Sequence, residues 1–191
     1  MSKLSEDKVK DNFTLVSESI YSYVCDKRIS LIDIVVYAAI KTQNDGRYGN
    51  SLSDIHRIFN IPYSSVEASV KNLRKFDLVT VTYNNGKAIC KEKKFPKEDT
   101  DRIPKTLLMS KSLSLRNKAF FMSVWWHVDN EGLLNYTKKS LHESVFKELN
   151  IGLAWVTSRI TELSALGLLN TNGRAINVNL GKIISLSDVV I

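Results

Sequence analysis

The chain has 191 residues, 43% of them hydrophobic and 25% charged, enough apolar material for one large or two small packed domains and too much for a disordered chain. The formal charge is +7 and the sequence pI about 9.3, a balance that favours polyanions such as nucleic acid or an acidic membrane surface. Residues 1–95 carry 15 Lys+Arg against 11 Asp+Glu and residues 96–191 carry 12 against 9, so neither half is a basic tail and any binding charge must be focused by folding.

In chain order, residues 1–12 are polar and read as a flexible N-terminus. Phe13 to Val24 reads as a short extended entry and a helical turn, with Phe13, Leu15, Ile20, Tyr21 and Val24 inside. Ser30 N-caps a clear helix with Asp33 at the capping-box position, and Leu31, Ile34, Val35, Ala38 and Ala39 share one face. Asn44-Asp45-Gly46 ends it. Ser51 caps a second helix that buries Ile55, Ile58 and Phe59. Asn60 to Tyr63 is a tight turn, and Ser64 caps a third helix with Val66, Val70, Leu73 and Phe76 inside. The run Val79–Tyr83, the turn Asn84-Asn85-Gly86-Lys87 and Ala88–Cys90 form a hairpin, because Asn-Gly suits positive φ at both central positions. Residues 91–105 are charged, contain Pro96 and Pro104, and read as a linker.

The same order then returns. A helix runs from Leu113 to His127 with Ala119, Phe120, Met122, Ser123 and Trp126 inside. Thr137 caps a helix to Leu149, and Asn150 to Leu153 is the turn. Ala154 to Leu166 is a third helix closed by Gly167, and strands at Leu168–Thr171 and Ala175–Leu180 flank Asn172-Gly173-Arg174. The repeat is in register. Asn60-Ile61 matches Asn150-Ile151, and Val66, Val70, Leu73, Phe76, Leu78 and Val79 fall opposite Val156, Ile160, Leu163, Leu166, Leu168 and Leu169. Two units therefore account for the chain, at residues 13–90 and 106–182, with 183–191 as a C-terminal docking segment.

Three helices followed by a β-hairpin is the winged helix-turn-helix arrangement, so the expected fold is mainly α with small β-hairpin wings (α+β), as two tandem winged helix-turn-helix domains. A short turn makes the second and third helices cross steeply, and the third can enter the major groove. Its outward positions in the first unit are Ser64, Ser65, Glu67, Ala68, Lys71, Asn72 and Lys75, and in the second Trp155, Thr157, Ser158, Arg159, Thr161 and Glu162. Lys71 and Asn72 reach a groove wall or floor, Glu67 can accept from a cytosine amine, and Arg159 suits a guanine or a phosphate. At the wing tips, Asn85 with Lys87 and Arg174 in the second unit suit phosphates.

From Ile29-Ser30-Leu31 through Ile58-Phe59-Asn60-Ile61, Ser64-Ser65-Val66 and Val70-Lys71-Asn72-Leu73 to Phe76-Asp77-Leu78-Val79, the chain resembles the winged helix-turn-helix of phage and plasmid replication initiators and replisome organisers. Ile103-Pro104-Lys105, Leu113-Ser114-Leu115 and Val156 to Leu169 repeat the pattern. Related domains occur in bacterial transcription regulators. The resemblance implies double-stranded DNA binding without a cofactor, with two half-sites about one helical turn apart.

The other reading is a non-catalytic adaptor. There the units bind replication or transcription proteins or form a homodimer, with Trp125, Trp126 and Trp155 as an interaction face. An enzyme is not expected: there is no phosphate-binding glycine loop, GxSxG or His-Glu-x-x-His, and Asp99 and Asp101 read as solvated linker carboxylates. Cys25 and Cys90 lack metal-ligand spacing and read as apolar fillers, consistent with a reducing cytoplasm. The polar start is not a signal peptide, and no apolar run approaches the roughly 20 residues of a membrane span.

Overall fold

Capping side chains place most helix starts. The computed structural model describes residues 13–17, 19–44, 51–93, 100–129, 131–171 and 175–185. Within them, β1 (Phe13–Ser17), α1 (Ser19–Cys25) and α2 (Leu31–Asn44) come first. The amide of Ser30 donates to Asp33 Oδ2 at 2.7 Å and that of Asp33 to Ser30 Oγ at 3.2 Å, which fixes the start of α2. α3 (Leu52–Phe59) begins at the reciprocal Ser51–Asp54 box. α4 (Tyr63–Lys75) follows, and β2 (Val79–Asn84) pairs with β3 (Lys87–Glu92).

After these come β4 (Thr100–Pro104), α5 (Lys105–Met109) and α6 (Leu115–Val124), extended by a 3₁₀ turn at Trp125–His127. Then β5 (Leu133–Leu134), α7 (Lys138–Leu141, continued by a π turn over His142–Phe146), α8 (Leu153–Ala165), β6 (Leu169–Thr171), β7 (Ile176–Val178) and α9 (Leu180–Ile184) complete the chain. The class is helices with small antiparallel sheets: β1–β4, β2–β3 and β5–β7–β6. Among the described residues no helix is long and apolar enough to cross a membrane.

The two halves repeat their turns bond for bond. Asn60 and Asn150 both take left-handed backbone, with φ of 49° and 57°. Asp77 and Gly167 do so as well, at 57° and 67°. After α4, the amides of Asp77 and Leu78 donate to the carbonyls of Arg74 and Leu73; after α8, those of Gly167 and Leu168 donate to Ser164 and Leu163. A histidine ring nitrogen meets the carbonyl of Ile61 (His56) in one half and of Ile151 (His142) in the other. Ser51 bridges to Ile89 in the first hairpin, where β5 pairs with β7 in the second.

Several expectations are corrected. Residues 100–104 of the expected linker form β4, which pairs antiparallel with β1 from Phe13↔Pro104 to Ser17↔Thr100. This pairing turns Thr14 and Val16 inward and leaves Leu15 41% exposed, as the two-residue period of a strand demands. Thr14 is anchored by Thr42, whose hydroxyl donates to Ala38 O. α4 starts at Tyr63 with Pro62 at its N-cap, so Ser64 lies inside the first turn and caps nothing. Cys25 is exposed, whereas Cys90 is buried and its thiol pushed up to about 11 by that burial. The turn at Asn172-Gly173-Arg174, the end of the first helix at Asp45-Gly46, Asp99, and 1–12 lie outside the described residues. Ile183 of α9 is fully buried and its carbonyl accepts from Thr106 Oγ1 of α5 at 2.8 Å, and residues 186–191 of the expected docking segment lie outside the described residues.

One apolar core runs through both halves. α2 packs against α4 of its own half and also against α6 of the other, and α6 in turn packs on α8. Consequently every residue from Asp33 to Ile40, and every residue from Asn117 to Val124, is buried. Even Lys118 is fully buried, its Nζ donating to the Phe59 carbonyl at the end of α3 at 2.5 Å. That bond satisfies a helix C-terminal carbonyl with a cation, a favourable pairing with the helix dipole.

Two substitutions test the packing. Lys118→Ala should lower unfolding free energy by about 2–4 kcal/mol in urea titrations, through the cavity and the unmet carbonyl. Gly132 (φ +84°) and Gly86 (φ +75°) carry a similar left-handed penalty, but a Cβ on Gly132 would lie 2.4 Å from the Val178 carbonyl whereas one on Gly86 meets nothing within 4 Å. Gly86→Ala should therefore cost about 1 kcal/mol and Gly132→Ala at least about 2 kcal/mol more. Equal costs would mean that the β5–β7 approach is looser than it stands.

Candidate nucleic-acid interface

α4 presents a continuous outward stripe. Ser64, Glu67, Ala68, Lys71 and Lys75 are all exposed, at the i, i+3, i+4 spacing of a single helix face. Ser65 is half-buried beside them, and the opposite face buries Val66, Ser69, Val70 and Leu73. Pro62 offers no side-chain cap, although its carbonyl accepts from the amides of Ser65 and Val66 at 2.9 and 3.0 Å, and the positive end of the helix faces outward next to Ser64. Tyr63, 41% exposed and edge-on to His56 at 6.1 Å, flanks that end.

The hairpin stands beside this helix. β2 and β3 close at Asn84↔Lys87, with Asn85 and Gly86 at φ of 48° and 75°, the mirror-image turn that suits twisted strands. Tyr83, Asn84, Asn85, Gly86 and Lys87 are all exposed, Tyr83 at 75%. The expected positions Asn85 and Lys87 are thus at a free tip.

Asn72 is corrected. It was expected to face outward, but it is half-buried and its Nδ2 donates to Asp33 Oδ2 at 2.8 Å and to the Arg28 carbonyl at 3.4 Å. Asp33 already caps α2, so Asn72 fastens α4 to the start of α2. The same contact brings in a cation that helical spacing along α4 alone does not reveal. Arg28, before α2, lies 5.7 Å over the Tyr23 ring, Tyr23 lies 6.5 Å from Phe76, and Lys75 Nζ lies 5.3 Å from Phe76. Arg28 and Lys75 therefore meet on one aromatic pair at the C-terminal end of α4. Arg28 is also 3.5 Å from Asp26, an exposed pairing that screens it in part.

The second half diverges at the matching positions. Arg159, expected to read a guanine or clamp a phosphate, is only 8% exposed. Its guanidinium donates to Glu162 at 2.7 and 2.5 Å, to Ser158 Oγ at 2.9 Å and to Asn117 Oδ1 at 3.3 Å. The cation is spent on joining α8 to α6. Trp155 is corrected likewise: half-buried, it packs on Phe120 and Phe146 with ring centroids 6.2 and 5.7 Å away, and Arg159 lies 5.9 Å from its ring.

Ser158, Thr161 and Glu162 are exposed and Thr157 half-buried, so the outward face of α8 between Leu153 and Ala165 carries no cation. Trp126 stands edge-on to Tyr21 of α1 at 4.8 Å and Trp125 is half-buried. The three tryptophans therefore do not form one open face. Arg174 lies outside the described residues. Among the described residues no group of three or more His, Cys, Asp or Glu could hold a metal ion.

No family model, curated protein or solved structure matches the chain.

Arg159→Ala should lower stability by roughly 1–3 kcal/mol in urea unfolding, because it strands the buried Asn117 carbonyl oxygen. An unchanged unfolding free energy would mean that the guanidinium does not tie α8 to α6.

Proposed function

We propose that the chain binds double-stranded DNA through α4 and the β2–β3 hairpin, as a winged helix-turn-helix regulator or replication initiator of the phage or plasmid kind. The observation that carries this reading is the uncapped, outward-facing α4, with Lys71 and Lys75 on its exposed stripe and Lys87 on the free hairpin tip alongside. A helix of this width fits a major groove, and cations on a neighbouring tight turn suit the flanking backbone. Ser64 and Glu67 are the exposed groups able to read base edges, and Arg28 adds a backbone contact at the far end of the helix.

The second half takes a different task in this proposal. With Arg159 turned inward, the outer face of α8 is neutral to acidic, and Leu153 and Leu166 are 42% and 39% exposed. Such a face repels phosphate and suits protein contact, so the second half serves a homodimer or a replication or transcription partner. An adaptor that binds no DNA is the competing reading, favoured by that same α8 face.

Gel shifts on DNA of the host element at two salt concentrations test the proposal. Affinity should fall steeply with salt, with a logarithmic slope near −0.9 for each phosphate contacted. Lys71→Ala should reduce that slope by about 1 if Lys71 touches phosphate, or cost about 1–3 kcal/mol at one base position if it reads an edge. Binding that is absent or indifferent to salt favours the adaptor.

A further inference from the structure

A cavity of about 720 Å³ lies between the two halves, where the loop before α2 meets the N-terminal ends of α6 and α8. Its size falls within the roughly 300–1,000 Å³ of small-ligand sites. The buried part of its lining is apolar, with Val24, Ile29 and Leu31 from the first half and Ala119 from the second. Half-buried Trp155 and Ile151 continue that surface.

The exposed part of the lining is basic. Lys27, Arg28 and Arg116 border the cavity, and no Asp or Glu does. Asp26 lies 3.5 Å from Arg28 and offsets part of its charge. Among the described residues, Lys27 and Arg116 make no ion pair. A hollow with an apolar interior and unmatched cations at its opening selects against two classes of occupant. A neutral apolar molecule leaves the cations unused, and a nucleic-acid backbone brings charge but no apolar body to meet Trp155, Ile29 and Leu31.

We propose that this cavity binds a small amphipathic anion, its aliphatic or aromatic body against Trp155 and the apolar lining and its carboxylate or phosphate head against Arg116 and Lys27. Asn72 of α4 and Trp155 of α8 border the same space, so the occupant touches both third helices. The cavity shares Arg28 with the DNA reading, but the two cations assigned to the head group, Arg116 and Lys27, take no part in that reading.

The test uses the full chain and decanoate, below its micellar concentration, followed by calorimetry and tryptophan fluorescence. Decanol, of equal length and no charge, is the comparison. Saturable one-to-one binding of decanoate is expected, with decanol at least about fivefold weaker. Arg116→Glu, at an exposed position where folding is not at stake, should weaken decanoate at least about fivefold, the scale of one partly screened charge. Gly152→Phe should abolish binding with an unchanged thermal midpoint, because Gly152 has extended backbone (φ −71°, ψ 151°) and a Cβ there meets nothing within 4 Å.

The proposal is overturned if decanoate does not saturate, if decanol binds equally well, or if Arg116→Glu binds decanoate as the parent does. Every arm is read without DNA, so failure here removes the cavity site and leaves the α4 reading to its own gel shift.

Discussion

The structure depends on two helices that no single trihelical unit could bury alone. α2 and α6 are enclosed around their circumference because each packs on the other as well as on its own third helix. A helix that is apolar all round belongs in an interior, and here the interior is the seam between the repeats. With α2 and α6 spent on the seam, α4 and α8 can each keep one face for solvent. The β1–β4 pairing adds a second long-range tie, joining the first strand, which packs on α2, to the segment just before α5.

Scaffold and surface have parted company between the halves. Left-handed residues and the bonds that close each third helix recur at matching positions, and in both halves a histidine, though from a different position, meets the carbonyl of the matching isoleucine. These are the features that hold a short turn between crossing helices, and they do not depend on what the outer face touches. The outer faces differ in kind: α4 shows cations and α8 shows none, its arginine tied to Glu162 and Asn117. A shared backbone with divergent outer chemistry is what is expected when function resides in grafted side chains.

Local signals were legible in the sequence. The caps at Ser30, Ser51 and Thr137, the Asn-Gly turn and both third helices to within a residue or two follow from neighbouring residues alone. What failed was non-local. β4 could not be read from its own charged, proline-bearing run, because its partner is the strand at the other end of the first half. Leu15 followed apolar character where Thr14 followed the strand period. Arg159 sits on the flank of α8, where Glu162 and Ser158 of the same helix hold its guanidinium, and the contact that ties it across to Asn117 comes from another helix. Nothing in its own helix marks Lys118 as buried, because its acceptor, the Phe59 carbonyl, comes from the other half.

The bond from Lys118 to Phe59 also bears on modularity. The last carbonyl of α3, one turn ahead of the helix that faces outward in the first half, is completed by a side chain from the second. An excised first repeat would therefore lack both the apolar cover on α2 and the cation that finishes α3. The two halves are one another's missing parts, and neither could be transplanted into a fusion as an interchangeable cassette.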